Sequence, residues 1–147
     1  MQNFEYRPLD ASRRGVRMLQ LQYPDKESND CTSNLICCRL DQASLDDNPV
    51  YQALSYTWGD PNRVCTIIFN GQKISVGANL EEALQYFYSI SYLGLLWVDA
   101  ICINQNDKDE KNWQVQQMRD IYAQAEFVIA WLGAAQMEVI LQWKNSQ

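Results

Sequence analysis

The stretch from Leu95 to Gly133, LLWVDAICINQNDKDEKNWQVQQMRDIYAQAEFVIAWLG, decides the fold. It reads as strand, polar turn, helix and strand with almost no gap. Leu95–Asp99 is an apolar run, predicted to be a buried strand. Asp107 stands where a helix N-cap belongs, and Glu110 occupies the matching capping-box position three residues on. Val115, Met118, Tyr122 and Ala125 then share one helical face, with Ile121 beside them. Phe127–Leu132 is the next apolar strand. Where the first apolar run stops, Asp99, Asn104, Gln105, Asp107 and Glu110 fall within twelve positions of one another. Ligands of α/β folds bind at the carboxyl ends of strands, so this polar cluster marks a candidate site.

Working outward, Tyr51–Thr57 (YQALSYT) reads as a strand stopped by Trp58-Gly59-Asp60-Pro61, a strong breaker. Thr66–Phe69 and Gln72–Val76 flank Asn70-Gly71, the preferred two-residue hairpin turn. Asn79 has the form of an N-cap with Glu82 as its box partner. Leu80, Ala83, Leu84 and Phe87 follow at helical spacing, predicting an amphipathic helix over Leu80–Tyr88. Val16–Leu21 and Leu35–Leu40 read as earlier strands, Pro24–Asp30 as a polar loop, Asp46–Pro49 as a turn and Ala134–Trp143 as a final helix. Strands alternating with helices after Tyr51 predict an α/β class. The expected architecture is a compact, mostly parallel sheet with flanking helices. The N-terminal strands and the hairpin would add antiparallel edges. At 147 residues the chain reads as one domain, 1–147, with its core motifs over 51–133.

Composition narrows the function. Apolar residues make up 47% and charged residues 20%, which places the chain in the globular class. The net charge is −6, and between Asp41 and Glu110 ten acids face three bases, Arg63, Lys73 and Lys108. Phosphate backbones are held by clustered Lys and Arg, so nucleic acid is not an expected partner of this half. Arg7, Arg13, Arg14 and Arg17 read as a mildly basic, solvated N-terminal arm. There is no histidine, which excludes Ser-His-Asp and Cys-His catalysis and any His-ligated metal. No metal site is expected. The five cysteines are odd in number, lack a C-x-x-C, and follow no signal-peptide pattern. A reduced, cytoplasmic setting is the expectation. No apolar run approaches the roughly 18 residues that a membrane span needs.

Two long motifs resemble a known family. LWVDAICINQ, D-x-x-E-K, QV-x-x-M-x-x-IY-x-x-A and WLG look like the core of the fungal HET (heterokaryon incompatibility) domain. YQALSYTWGD at Tyr51–Asp60 looks like its other hallmark. YRPLD at Tyr6–Asp10 and the NL-x-x-AL pattern at Asn79–Leu84 extend the resemblance over most of the chain. The resemblance implies an effector of non-self recognition and programmed cell death in filamentous fungi, acting through self-association. A homo-oligomer or an NLR-type receptor is the implied partner. HET domains are in turn thought to resemble TIR domains, so the implied fold is TIR-like. Some TIR domains cleave NAD at the nicotinamide–ribose bond, which makes NAD a candidate substrate, with no cofactor required. The TIR glutamate lies after the strand matching FVIAWLG. Here that segment is AAQMEVILQW, where Glu138 is the only acid and the preceding tryptophan and cysteine of the TIR pattern are absent. A module of this fold with a binding role alone is the third reading.

Each candidate residue has a structural alternative. Glu110 and Asp99 are the candidate catalytic carboxylates, able to hold ribose hydroxyls or stabilise an oxocarbenium-like transition state. The alternative for Glu110 is the capping box. For Asp99 it is a buried acid accepting backbone N–H groups. Asn104 and Gln105 are candidate ligand-binding amides, or simply turn formers. Ser55, Trp58 and Gly59 are candidate ligand contacts after the Tyr51 strand, Gly59 for close backbone approach and Trp58 for stacking. The alternative is a tight turn with a core aromatic. Cys102 has no histidine to activate it and reads as a small buried hydrophobe. Trp97, Trp113 and Trp131 read as core.

Overall fold

The computed structural model describes residues 4–23, 35–56 and 59–133, together with the backbone of 136–141. Eight strands form one sheet: β1 Gly15–Gln22, β2 Cys37–Ser44, β3 Tyr51–Tyr56, β4 Val64–Phe69, β5 Gln72–Gly77, β6 Leu95–Trp97, β7 Phe127–Gly133 and β8 Gln136–Leu141. Three helices accompany them: α1 Ala78–Ser89, the one-turn α2 Asp99–Cys102, and α3 Lys108–Gln124. The strand order is β5-β4-β2-β1-β6-β3-β7-β8.

The α/β class stands, but the sheet is mixed rather than mostly parallel. β3 runs parallel to both β6 and β7, and β2 parallel to β4. The pairs β1–β2, β1–β6, β4–β5 and β7–β8 are antiparallel. The N-terminal strands are therefore not edges. β1 lies in the interior, between β2 and β6. Val16, Met18, Leu19 and Leu21 are all buried, so this strand is covered on both faces, as an interior position requires.

The parallel core β6-β3-β7 is built from the 51–133 segment. Residues five apart on β3 point to opposite faces. Tyr51 on one face donates its hydroxyl to the Ile121 carbonyl of α3, and on the same side the Trp97 ring meets Tyr122 edge-on at 5.5 Å. Tyr56 on the other face pairs with Trp131, whose ring lies 5.6 Å from Tyr86 of α1. The two long helices therefore cover opposite faces of the sheet. The Asn70-Gly71 hairpin forms with both residues at positive φ (47° and 83°). The Asn70 side chain also reaches back to β2, accepting from Leu40 N–H at 3.0 Å and donating to its carbonyl at 3.3 Å.

Four local readings change. Residues 136–141, expected to be helical, form edge strand β8 against β7. This stretch, QMEVIL, ends in β-branched and apolar residues and finds an open strand to pair with. α1 starts at Ala78 with Gly77 as its N-cap, and no side chain caps it, so Asn79 does not serve that role. Val115 is 51% exposed and leaves the expected α3 face, whereas Ile121 and Ala125 are buried and Met118 and Tyr122 pack against the core; Glu110 and Gln114 join them on the buried side. Cys37 is disulfide-bonded, against the expectation of reduced thiols throughout, while Cys38, Cys65 and Cys102 are free. The polar loop expected at Pro24–Asp30 lies outside the described residues. Among the described residues, no helix is long and apolar enough to cross a membrane.

Candidate functional site

β3 and β6 deliver the two motifs to one end of the parallel core, because Ala53 pairs with Trp97 and both strands then stop within a few residues. Tyr56 ends β3, and Asp99 opens α2 just after β6. The Asp99 carboxyl is half-buried, and desolvation raises its pKa above the usual carboxylate value, partly opposed by backbone N–H groups. Tyr56 is pushed up to about 12, by burial first and then by the charge of Asp99. Tyr122 of α3 is raised for the same two reasons in the same order. Asp99, Tyr56 and Tyr122 thus form one electrostatic cluster. It holds a carboxyl reluctant to ionise and two phenols that stay neutral donors near neutral pH.

Gly59, in the turn after β3, has φ +69°. A Cβ there would lie 2.5 Å from Asn79 Nδ2, so this turn is seated on the first turn of α1. Close approach is what the sequence asked of Gly59, and its neighbour is a side chain of this chain. Ser55 is exposed, paired with Ala130 of β7. Trp58 lies outside the described residues. Trp131, on the neighbouring strand end, is buried with no acceptor for its indole N–H among the described residues, as is Trp97.

Glu110 stands apart from this cluster. Asp107 caps α3, accepting from Glu110 N–H at 3.1 Å, but the reciprocal half of the capping box is absent. The Glu110 carboxylate turns to Arg17 of β1, with contacts of 2.6 and 2.7 Å, and accepts from Asn104 N–H at 2.7 Å. Arg17 also donates to the carbonyls of Cys102 (3.1 Å) and Arg7 (2.8 Å), and its guanidinium lies 4.5 Å above the Tyr6 ring. Arg17 is 2% exposed and Glu110 5%. The solvated-arm reading of Arg17 is therefore overturned. Its long side chain is buried because every donor direction used meets a carboxylate or a carbonyl. The signal was present in the sequence: on β1 the alternation Arg17, Leu19, Leu21 puts one cation on an apolar face, where an unpaired charge cannot stay.

Asn104 and Gln105 follow α2. Asn104 Oδ1 accepts from Asn106 N–H at 3.1 Å, and Gln105 Nε2 donates to the Asp99 carbonyl at 2.9 Å. Both line a small cavity of about 40 Å³ with Phe4, Tyr6 and Val76, away from Tyr56. The structure therefore brings Asp99 together with Tyr56 and Tyr122, and gives Asn104 and Gln105 a different opening. Cys102 is buried and pushed up to about 12 by desolvation, as suits a small core residue. Among the described residues, no group of three or more acidic or thiol side chains is gathered to hold a metal.

The two motifs thus meet at one end of the parallel strands of an α/β sheet. The family model described as heterokaryon incompatibility protein (HET) matches residues 51–146, which contain this whole cluster. The chain belongs to the HET family. It is 38% identical over 117 residues, 71% of its own length, to heterokaryon incompatibility protein 6, OR allele, of Neurospora crassa. It spans 17% of that protein's length. No solved structure matches the chain.

Proposed function

We propose that this chain is the effector module of a fungal incompatibility response, acting in non-self recognition and the programmed cell death that follows fusion of unlike cells. The observation that carries this reading is that the strands of both family motifs, β3 and β6, pair in parallel inside the matched segment, so that Tyr56, which ends β3, and Asp99, which follows β6, leave the sheet at the same end. Self-association, or recruitment by an NLR-type receptor, is the trigger in this reading. Its test is inducible expression in a filamentous fungus with a fused dimerisation tag. Growth arrest that appears on dimerisation and is lost in Asp99→Asn is the expected result. Unimpaired growth with folded protein at matched levels would sink the proposal.

One observation favours a second, catalytic reading, in which the module is a TIR-like NAD glycohydrolase. Asp99 is a half-buried carboxyl whose charge is felt by two partly buried phenols, Tyr56 and Tyr122, the kind of perturbed acid that recurs at active sites. On this reading water adds to the ribose carbon as nicotinamide leaves, and the Asp99 carboxylate stabilises the developing positive charge. Glu110, with its oxygens already engaged, would hold the Asn104 turn and not meet substrate. The assay is chromatographic detection of nicotinamide from NAD, with dilute and crowded protein. Turnover that survives Asp99→Asn would remove that residue from the chemistry.

A further inference from the structure

A cleft of about 310 Å³ opens on the β1–β2 side of the molecule, lined by Tyr6, Arg7, Arg17, Arg39, Leu40 and Asn70 among others. Its volume is at the lower end for small-molecule sites. Three of the chain's seven arginines meet there, in a protein of net charge −6. The cleft differs from the Asp99 cluster in every residue named.

The arginines are not equally engaged. Arg17 is the floor, fixed by Glu110 and two carbonyls. Arg39 pairs with Asp41 at 2.9 Å, but both side chains are more than half exposed, so a stronger anion displaces that contact easily. Arg7 makes no ion pair among the described residues. Its backbone is held in place, since Gln42 Nε2 donates to the carbonyls of Arg7 and Pro8 at 3.1 and 3.0 Å. Two acids, Glu5 and Asp41, also line the cleft, and with Arg17 already neutralised by Glu110 they restrict it to one phosphate group held by Arg7 and Arg39.

Phe4 and Tyr6 line this cleft and also the smaller cavity that contains Asn104 and Gln105. They are the wall between the two. Their rings stack edge-on at 5.0 Å, Phe4 meets Phe69 at 5.9 Å, and Tyr6 donates its hydroxyl to the Ile101 carbonyl at 2.7 Å. Beyond that wall, Asn104 Nδ2 and Gln105 Oε1 have no hydrogen-bond partner among the described residues, since each amide uses its other atom. A donor and an acceptor side by side match the edge of a heterocyclic base.

We infer that the two cavities are halves of one ligand site for a nucleoside monophosphate, closed by the strap of residues 4–8. Arg7 and Arg39 take the phosphate, Phe4 and Tyr6 offer aromatic faces, and Asn104 and Gln105 read the base edge. To admit the ligand and join the cavities, the strap gives up the Tyr6–Ile101 hydrogen bond and the contacts of Arg17 and Gln42 to the Arg7 and Pro8 carbonyls, which the ligand's own contacts replace.

The test is calorimetric titration of the full chain with AMP, and with adenosine and inorganic phosphate separately. AMP binds saturably, and each fragment binds at least about tenfold more weakly. Arg7→Gln with Arg39→Gln weakens AMP by about tenfold or more and leaves adenosine unchanged. Asn104→Ala weakens AMP and adenosine alike. Amide exchange within residues 4–8 alters when AMP binds. Circular dichroism checks that each variant is folded, which the exposure of Arg7 and Arg39 favours. No saturation by AMP overturns the inference, and so does AMP binding indifferent to the two arginines or to Asn104. Binding lost in Asp99→Asn alone places the nucleotide at the strand ends and overturns it too. Unaltered exchange in the strap removes the joined site.

Discussion

Arg17 and Glu110, 93 positions apart in the chain, meet as a two-pronged ion pair that is closed to water and shared with the carbonyls of Arg7 and Cys102. It pins the start of α3 and the Asn104 turn to β1. Removing one partner leaves the other charge buried and alone. Arg17→Met or Glu110→Met is expected to cost about 3–5 kcal/mol in urea unfolding. The double variant is expected to recover much of that loss, because two apolar side chains replace two compensated charges. Additive losses in the double-mutant cycle would show that the pair is not coupled.

Asp99 makes stability depend on pH. Burial raises its folded-state pKa above the usual carboxylate value, so its protonated form favours the fold. That contribution is complete below the unfolded pKa and is lost as pH rises through the raised folded value. Asp99→Asn is therefore expected to melt higher than the parent at neutral pH, with the difference vanishing in acid. Melting curves from about pH 3 to about pH 8 read this directly. A variant that melts lower at neutral pH would mean that the carboxylate is stabilised by its surroundings.

Gly59 combines a positive φ with a near neighbour. In Gly59→Ala the methyl meets Asn79 Nδ2 at 2.5 Å on top of the left-handed backbone. The expected loss is about 1–2 kcal/mol from the backbone conformation, plus the displacement of Asn79. Asn79→Ala in the Gly59→Ala background should recover the second part and leave the first. Chemical denaturation of the four proteins separates the two.

The helical face of α3 gives a paired test. Gln114 is fully buried and donates to the Gly15 carbonyl at 2.7 Å. Gln114→Ala removes the shorter of two side-chain donors to that carbonyl, leaving Gln117 Nε2 at 3.5 Å, and opens space in the core, which should cost about 1–3 kcal/mol. Val115→Gln, one residue on, should change stability by no more than about 0.5 kcal/mol. The reverse ranking would mean that α3 is rotated by about one residue.

That contrast shows where the sequence was readable. Several elements were legible because their patterns are local. An apolar run at Leu95, an Asn-Gly turn and an Asp107 cap each declare themselves within a few residues. The α3 face was misread at one position, where apolar Val115 was preferred to polar Gln114. Only the distant Gly15 carbonyl explains why a glutamine is buried. Arg17 was misread for the same reason, since its partner comes from the far end of the chain. The strand-end cluster was half legible: Asp99 stood out at the end of an apolar run, whereas the contribution of Tyr122 depends on how α3 docks. Edge strand β8 was missed because pairing with β7, not local preference, decides its form.

The placement of β1 and β2 has a practical consequence. Both precede residue 51, where the family match begins, yet they stand between β4 and β6 in the sheet. A chain cut at that boundary would leave the β4–β5 hairpin with no strand joining it to β6, and Glu110 facing an empty seat. The inherited signature and the cooperative folding unit are therefore different objects in this protein. Truncations and chimaeras meant to preserve the domain should be spliced ahead of Tyr6 rather than at Tyr51.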